Sequence, residues 1–426
     1  MEKIPIVICI DVEPDIRAID PNVTNDWVGF EKTFEFYEEL RPRLEDATSS
    51  AVRFSWFVRM DAQIEHTYGT PNWAATRYRH LFDRIEKHED EIGLHAHAWR
   101  WNEASDGWVA DMEDQEWVEH CVRLSFAAFE KSFHRRCLSF RFGDHWINDA
   151  TLNLIEKLGA CFDLTVEPGP KRPFFLDECI GSLPDCSDVP QRPYHPSREN
   201  FTRPDSEGGR RLWILPLSTG QVDWALTSLI HGRYPESSIR GKLRARLRNP
   251  GSTYEGFLDR VDCQMISGWA FDAKRPDLPI NVEIFDGEVL LKTVPANVFR
   301  PDLLDAAKGN GRHSFAIPIP ASLNDGNAHS LRAKVEGTGF ELRRSRQTER
   351  VEPLLLLNTK PWLMKREMVS LLSVERPYLA LPVRSDVSLH SNEVLNMKEN
   401  FDQIVGHPLA KRFSFVTPAE LVEQLK

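Results

Sequence analysis

Four short stretches carry residues whose types and spacing could do chemistry. The first is Asp11-Val12-Glu13, which ends a short apolar run. Residues two apart on an extended segment face the same way, so one carboxylate can serve a metal and the other a water. A turn or a helix-cap acid is the bland alternative. The second is Glu91-Ile92-Gly93-Leu94-His95-Ala96-His97-Ala98-Trp99. A strand here sends Leu94, Ala96 and Ala98 one way and His95, His97 and Trp99 the other. Neutral imidazoles at i and i+2 can reach one divalent ion together, and imidazole suits Zn, Co, Ni and Fe. The third runs from Ser139 to Trp146 (SFRFGDHW). Arg141 can hold a neighbouring carboxylate charged, and Gly143 permits a tight strand-to-helix turn. An ion pair on a rim is the other reading. The last is Arg384 to His390 (RSDVSLH). A histidine there can protonate a leaving amine if it comes within reach, or it can be an exposed loop residue.

These stretches need strands to present them. Ile4–Ile10, Val52–Val58, Glu91–Ala98, Leu138–Arg141 and Ala160–Val166 read as buried strands, being short, apolar and rich in β-branched or aromatic residues. Helical patterns lie between them at Phe30–Glu45, Arg77–His88, Gln115–Phe133 and Asp149–Leu158, the last stopped by Gly159. Strand-helix alternation predicts an α/β chain with a parallel sheet closed into a barrel, whose C-terminal strand ends form the active face. From Pro168 to Gly209 the chain turns to Pro, Asp, Ser, Arg and Gly, then resumes with a strand at Leu212–Ser218.

Between about Tyr254 and Gln347 short alternating strands are separated by Asn-Asp-Gly, Asp-Gly and Gly-Asn-Gly turns, the pattern of an antiparallel β-sandwich. Afterwards LLLLN, MKREMVSLLS, YLALPV, RFSFV and a TPAELVEQL helix capped by Thr417 restore the earlier style. The expected domains are therefore 1–253 (first part of the barrel), 254–348 (inserted sandwich) and 349–426 (end of the barrel). Trp269, inside a strand of the insert, reads as core.

Over 426 residues the net charge is -11, with Asp and Glu interspersed. That excludes a nucleic-acid partner, which needs a concentrated basic face. The basic run Arg240–Arg248 reads as a solvated helix face. No run approaches the roughly 18 apolar residues of a membrane span. MEKIPIVICIDVEPD enters a strand directly, without a signal peptide, and the seven cysteines are scattered. Reduced thiols and a cytoplasmic location are the expectation.

Taken in order, the four stretches resemble the polysaccharide deacetylase superfamily, the NodB-homology, chitooligosaccharide deacetylase-like proteins. The segment TLNLIEKLGACFDLTVEPG (Thr151–Gly169) is the most specific single match, and the resemblance covers roughly Ile4–Ser218 and Leu354–Leu425. It implies a distorted (β/α) barrel of seven or eight strands that hydrolyses an N-acetyl amide on a sugar with a divalent metal, zinc first. By position Asp11 would be the catalytic base, Glu13 and His95 metal ligands, Arg141 the brace of the base and His390 the late acid. The family's acidic pair is usually Asp-Asp or Asp-x-Asp, and its second histidine stands four residues after the first, where this chain has Trp99. His97 is the available substitute, as in an H-x-H-x-W subgroup. Trp99, Trp146 and Tyr194, the last in the PYHPS segment, are the expected sugar-facing aromatics. The insert, with VDCQMISGWAFD and ANVFRPDL, resembles a small domain of bacterial carbohydrate-metabolism proteins. The substrate would be a carbohydrate or glycan precursor. Two alternatives stand beside this reading: a C–N hydrolase of small non-sugar amides, and a non-catalytic carbohydrate-binding protein on the same fold.

Overall fold

The structure is a computed structural model that describes residues 3–16, 19, 25–103, 107–168, 184–186, 188–219, 253–261, 265–286, 289–318, 331–344, 357–358 and 378–425, with a few positions between 361 and 368. The basic run 240–248, LLLLN before Leu357 and most of MKREMVSLLS lie outside the described residues. The chain divides into two compact units, one of Met1–Gln221 with Glu352–Lys426 and the other of Val222–Val351.

The first unit begins with β1 (Ile4–Val12) and α1 (Val28–Thr48), then β2 (Ser55–Arg59), α2 (Ala62–Tyr68), α3 (Trp73–Arg77) and α4 (Arg79–Lys87). β3 (Glu91–Ala96) leads into a hairpin of β4 (Trp99–Asn102) and β5 (Gly107–Ala110), then α5 (Gln115–Phe133), β6 (Ser139–Phe142), α6 (Asp149–Leu158), β7 (Phe162–Asp163) and β8 (Trp213–Ile214). The expected helix at Arg77–His88 is broken at Tyr78, which ends α3 and begins α4. The strand at Ala160–Val166 is cut to two residues, because only Phe162 and Asp163 find ladder partners on both sides.

Alternation explains how this unit is built. Ile6, Ile8, Ile10 and Val12 of β1 join one buried cluster with Phe30, Phe34 and Tyr37 of α1, Phe82 of α4, Phe129 of α5 and Ile155 of α6. The intervening Val7 and Cys9 join a second cluster with Phe57, Leu164, Leu215, Leu217 and Ala380. Both faces of the strand are thus covered, as an all-parallel sheet requires. The sheet runs β17-β1-β2-β3-β6-β7-β8 and is parallel throughout, with β18 also pairing the start of β1. Here β17 is Leu379–Arg384 and β18 is Phe413–Phe415. The sheet curls, and its two ends meet beyond β8: the Ser218 N–H donates to the Ala380 carbonyl (2.9 Å), and the Ala380 N–H donates to the Ser218 hydroxyl (3.0 Å). Thr417 caps the C-terminal helix Pro418–Gln424 in a full capping box with Glu420.

The second unit holds a five-stranded sheet, β13-β14-β10-β9-β16, and a three-stranded one, β12-β11-β15. Their ranges are β9 Tyr254–Val261, β10 Met265–Asp272, β11 Ile280–Asp286, β12 Val289–Ala296, β13 Val298–Phe299, β14 Arg312–Pro318, β15 Leu331–Val335 and β16 Arg343–Arg344. All pairings are antiparallel except β16 with β9. Leu258, Ile266, Ala270 and Phe315 of the first sheet share one buried cluster with Val282, Ile284 and Ala333 of the second. Trp269 is not in that core: it is half-buried beside Phe257, with the Lys308 ammonium 5.9 Å from its ring. Odd and even positions of β10 face opposite ways, and Trp269 falls on the face away from Ile266 and Ala270.

Among the described residues no helix is long and apolar enough to cross a membrane, and Cys9, Cys121, Cys137, Cys161 and Cys186 are free thiols.

A buried ion pair ties α1 to this sheet. Asp90 accepts from both terminal nitrogens of Arg41 (2.7 and 3.1 Å), from the Phe54 N–H (3.0 Å) and from the Trp56 indole (2.9 Å). Removing one member of such a pair strands the other charge in a dry environment. Asp90→Ala is expected to destabilise the chain by about 3–5 kcal/mol, read as a lowered urea midpoint of the far-UV signal.

Candidate metal and acid-base site

The odd-numbered alternation that sends Val7 and Cys9 inside the curl continues to Asp11 and Glu13 at the C-terminal end of β1. The register then aligns Asp11 with Phe57 on β2 and Arg384 on β17, and Arg59 with His95 and Arg141 on β3 and β6. Six charged or polar side chains thereby converge on one rim of the sheet. Asp11, Glu13, Arg59, His95, His97 and Arg141 are all buried.

Arg141 donates through Nε to both oxygens of Asp11 (2.9 and 3.1 Å) and through Nη1 to the Leu164 carbonyl (2.8 Å). Burial works against the guanidinium charge, yet Asp11 raises it above the ordinary arginine value. Arg141 and Asp11 are thus joined in a buried ion pair. Asp11 Oδ1 also lies 3.8 Å from His95 Nδ1, so the carboxylate and the histidines are neighbours.

Each histidine is held through its Nδ1. His95 Nδ1 sits 3.1 Å from the Arg141 carbonyl, an acceptor only, so it carries the proton. His97 Nδ1 sits 2.8 Å from Asp144 Oδ2. Both Nε2 atoms are then lone-pair donors, and they face each other at 2.9 Å. Two acceptors in contact repel unless something electropositive lies between them. Glu13 Oε2 is 3.8 Å from His97 Nε2, and the three ligand atoms of Glu13, His95 and His97 lie within 4.8 Å of one another. This donor set fits a divalent ion, with imidazoles oriented by a carbonyl and a carboxylate in the usual way. Burial pushes the His95 imidazole down to about 4, with the neighbouring Asp11 acting the other way, so the ring stays neutral near pH 7.

Asp144, Arg59 and Arg384 join the site without having been assigned a role from sequence, and Gly143 and Trp99 support it. Asp144 fixes the His97 tautomer and also accepts from the Trp99 indole at 2.8 Å. Trp99, standing where a second histidine was expected, thus braces the carboxylate that orients His97. Gly143 is required by contact: a Cβ built there would lie 2.2 Å from His97 Cε1 and Nε2. Asp144 and His145 follow it with φ of 56° and 58°, a pair of non-glycine residues in the left-handed region, where strain is characteristic of functional turns. Arg59, fully buried, is clasped by Asp61 (2.8 and 2.9 Å) and Gln63 (2.7 Å) and reaches to 4.0 Å from Glu13 Oε2. Arg384 Nε meets Glu13 Oε1 at 2.7 Å.

Of the remaining predicted residues, His390 is exposed between the turn Ser385–Leu389 and the helix Ser391–Val405, and Asp386 lies within electrostatic reach of both His390 and Glu13. Trp146 packs on Phe142 (5.2 Å), and the Tyr194 hydroxyl donates to the Phe201 carbonyl (2.6 Å). Trp99, Trp146 and Tyr194 are 6, 5 and 6 % exposed, so none presents an open ring face. Trp101 and Trp108 pair across the β4–β5 hairpin and are only half-buried, with ring centroids 5.2 Å apart. The Trp-x-Trp alternation from Trp99 to Trp101 was the sequence signal for them.

Two outcomes follow for metal binding. Asp144→Ala and Gly143→Ala are each expected to weaken zinc affinity at least about 10- to 100-fold, the usual cost of losing an outer partner, as measured by competition with a chelating dye. Because protons compete for His95 only toward pH 4, that ring is expected to stay available to zinc between pH 7 and 5.5, read as an unchanged His95 ring signal in NMR of the metal-free chain. A His95 ring signal that titrates across that window would contradict the buried, neutral ring.

No protein-family model matches the chain, and no curated protein does. Among solved structures it is similar to a Mycobacterium smegmatis protein assigned as a polysaccharide deacetylase, at 12% identity and a TM-score of 0.39, over 99% of this chain and 90% of that one. It is similar to a Parabacteroides distasonis protein assigned as a glycoside hydrolase/deacetylase, at 16% identity and a TM-score of 0.33, over 52% and 46% of the two chains. A variant of the peptidoglycan deacetylase PdaC from Bacillus subtilis is also similar, at 12% identity and a TM-score of 0.21, over 37% of this chain and 56% of that one.

Proposed function

We propose that this chain hydrolyses an N-acetyl amide on a carbohydrate with the help of a divalent metal, zinc first, in the manner of a polysaccharide deacetylase. The observation that carries the reading is the adjacency of two devices on one rim: the Asp11–Arg141 pair and the Glu13, His95 and His97 trio, linked by the 3.8 Å approach of Asp11 to His95. A structural ion pair alone needs no facing imidazoles, and a structural metal site needs no braced carboxylate beside it. Together they suit amide hydrolysis, which requires a base for water and a centre of positive charge for the developing oxyanion.

Glu13, His95 and His97 would hold the metal, which when bound supplies Lewis acidity to the acetyl carbonyl. Asp11, kept in place by both Arg141 contacts, takes a proton from the attacking water. Arg141 also donates through Nη1 to the Leu164 carbonyl, which helps hold the guanidinium beside Asp11. Asp144, with Trp99 behind it, keeps the His97 Nε2 lone pair directed at the ligand position. Arg59 and Arg384 flank Glu13 and favour its ionised form. The departing amine needs a proton, which an imidazole on the rim can give. We read the curled sheet as a distorted barrel and the second unit as a sandwich inserted into it.

Asp11→Asn is expected to lower kcat on acetylated chitooligosaccharides by at least about 100-fold, the scale of a lost general base, while metal content by elemental analysis stays near wild type. His95→Ala is expected to lose the metal and the activity together. Cleavage of cyclic amides with none of acetylated sugars would move the substrate to the non-sugar class. Normal turnover by Asp11→Asn would remove the assignment.

A further inference from the structure

The groups on the rim act on one acetyl amide, so whatever selects the rest of a sugar chain must stand beside them. We propose that Trp101, Trp108 and His66 form a binding subsite for a neutral sugar unit next to the one that is cleaved. The inference rests on the deacetylase reading for the class of substrate and adds where a neighbouring unit is held.

Two routes from His97 place these rings. Along the chain, His97 leads through Ala98 into β4, and the Trp99 indole donates to Asp144 Oδ2 (2.8 Å), the carboxylate that meets His97 Nδ1 (2.8 Å). Trp101 is two residues further on the same strand and shares the face of Trp99, about 7 Å away at the backbone. Across space, Asp61 Oδ2 accepts the His97 N–H (3.1 Å), and Asp61 caps α2. His66 lies further along that helix, a rise of about 7.5 Å from Asp61. The routes meet, because the rings of His66 and Trp101 stack with centroids 6.1 Å apart and planes 20° apart.

Trp101 pairs with Trp108 directly in the ladder, so both rings occupy one face of the hairpin. Trp108 stands at 76° to Trp101 and 84° to His66, with its centroid 5.2 Å from each. Its indole N–H donates to the Ile19 carbonyl (2.7 Å), which fixes the ring as one wall of a right-angled corner. Rings that serve the core are shut away: Trp27, Trp56 and Tyr78 are 0, 1 and 0 % exposed. Trp101 and Trp108 are half-buried and His66 is exposed. A contiguous aromatic surface left partly open beside a polar site marks a ligand position. The negative ring faces attract the slightly positive C–H face of a pyranose, whose hydroxyls stay in water.

Charge narrows the occupant to a neutral unit. Arg100 falls on the opposite face of the hairpin, where it donates to Asp114 (2.6 Å), lies 3.3 Å from Asp111 and covers the Trp117 ring at 4.5 Å. It fastens the hairpin to the start of α5, and β4 and β5 turn no lysine or arginine toward the three rings. An anionic glycan would find no such partner there.

The test is calorimetric titration of the zinc-loaded full chain, carrying Asp11→Asn to prevent turnover, with fully acetylated chitotetraose and with N-acetylglucosamine. Chitotetraose is expected to bind at least about 10-fold tighter than the single sugar, the scale of added aromatic stacking. Trp101→Ala is expected to remove that advantage at unchanged zinc content, and Trp101→Phe to restore most of it. Val109→Ala, on the opposite face of the hairpin, is expected to keep it. Equal affinity for the two ligands, or an undiminished advantage in Trp101→Ala, would overturn the subsite. An equal loss in Val109→Ala would trace the effect to folding of the hairpin and overturn it too. Acetate release from chitotetraose by the zinc-loaded wild type decides the deacetylase reading separately. Release without any effect of Trp101→Ala removes the subsite alone, and a Trp101-dependent advantage without release removes the deacetylase reading alone.

Discussion

The rim is held together from below by the carboxylate of Asp61. One oxygen caps α2 through the N–H groups of Gln63 (3.1 Å) and Ile64 (3.4 Å), and both oxygens clasp Arg59. The second oxygen also accepts the backbone N–H of His97 (3.1 Å). A single fully buried acid therefore fixes the start of a helix, the charge of a buried guanidinium and the backbone of His97. Taking either partner of such a pair away costs about 3–5 kcal/mol, because the other charge stays in a dry place. Arg59 in turn lies 4.0 Å from Glu13, so the position of the first strand's carboxylate is felt through the same network.

The site is a network of alternating opposite charges. Glu13, His95, His97 and Asp11 lie together, with Arg59, Arg141 and Arg384 against their carboxylates and Asp61 and Asp386 against Arg59 and Arg384. Each charge has an opposite neighbour at hydrogen-bond distance, which is how charges are carried in an interior at all.

How much of this could be read beforehand follows from the range of the interactions involved. β1, α5 and α6 were legible because each is one uninterrupted pattern, and Gly159 marked its helix end correctly, with φ of 109°. The Asp-x-Glu and His-x-His pairs were legible because alternation is local. Asp61 and Arg59 were not, since a polar pair after a strand looks like any rim or cap. Arg384 reaching Glu13 spans 371 positions, and no spacing rule covers that distance. The aromatics went astray for another reason: sequence shows that a ring is present but not which side of a wall it occupies. Trp99 and Tyr194 both ended in the interior, with their polar atoms hydrogen-bonded. The helix Ser391–Val405 was not legible although Met397, Phe401 and Ile404 mark its buried stripe, because no capping side chain at His390 signals its start.

The position of β1 in the sheet has a consequence for how the molecule is made. Its neighbours are β2 on one side and β17 on the other, with β18 against its start. A ribosome delivers β2 within seconds of β1, but Leu379 only after most of the polypeptide, including the whole second unit, has emerged. Throughout that interval the strand bearing both carboxylates keeps one edge open, an apolar template of the kind that recruits foreign strands. Completion of this rim is thus the last act of synthesis rather than the first.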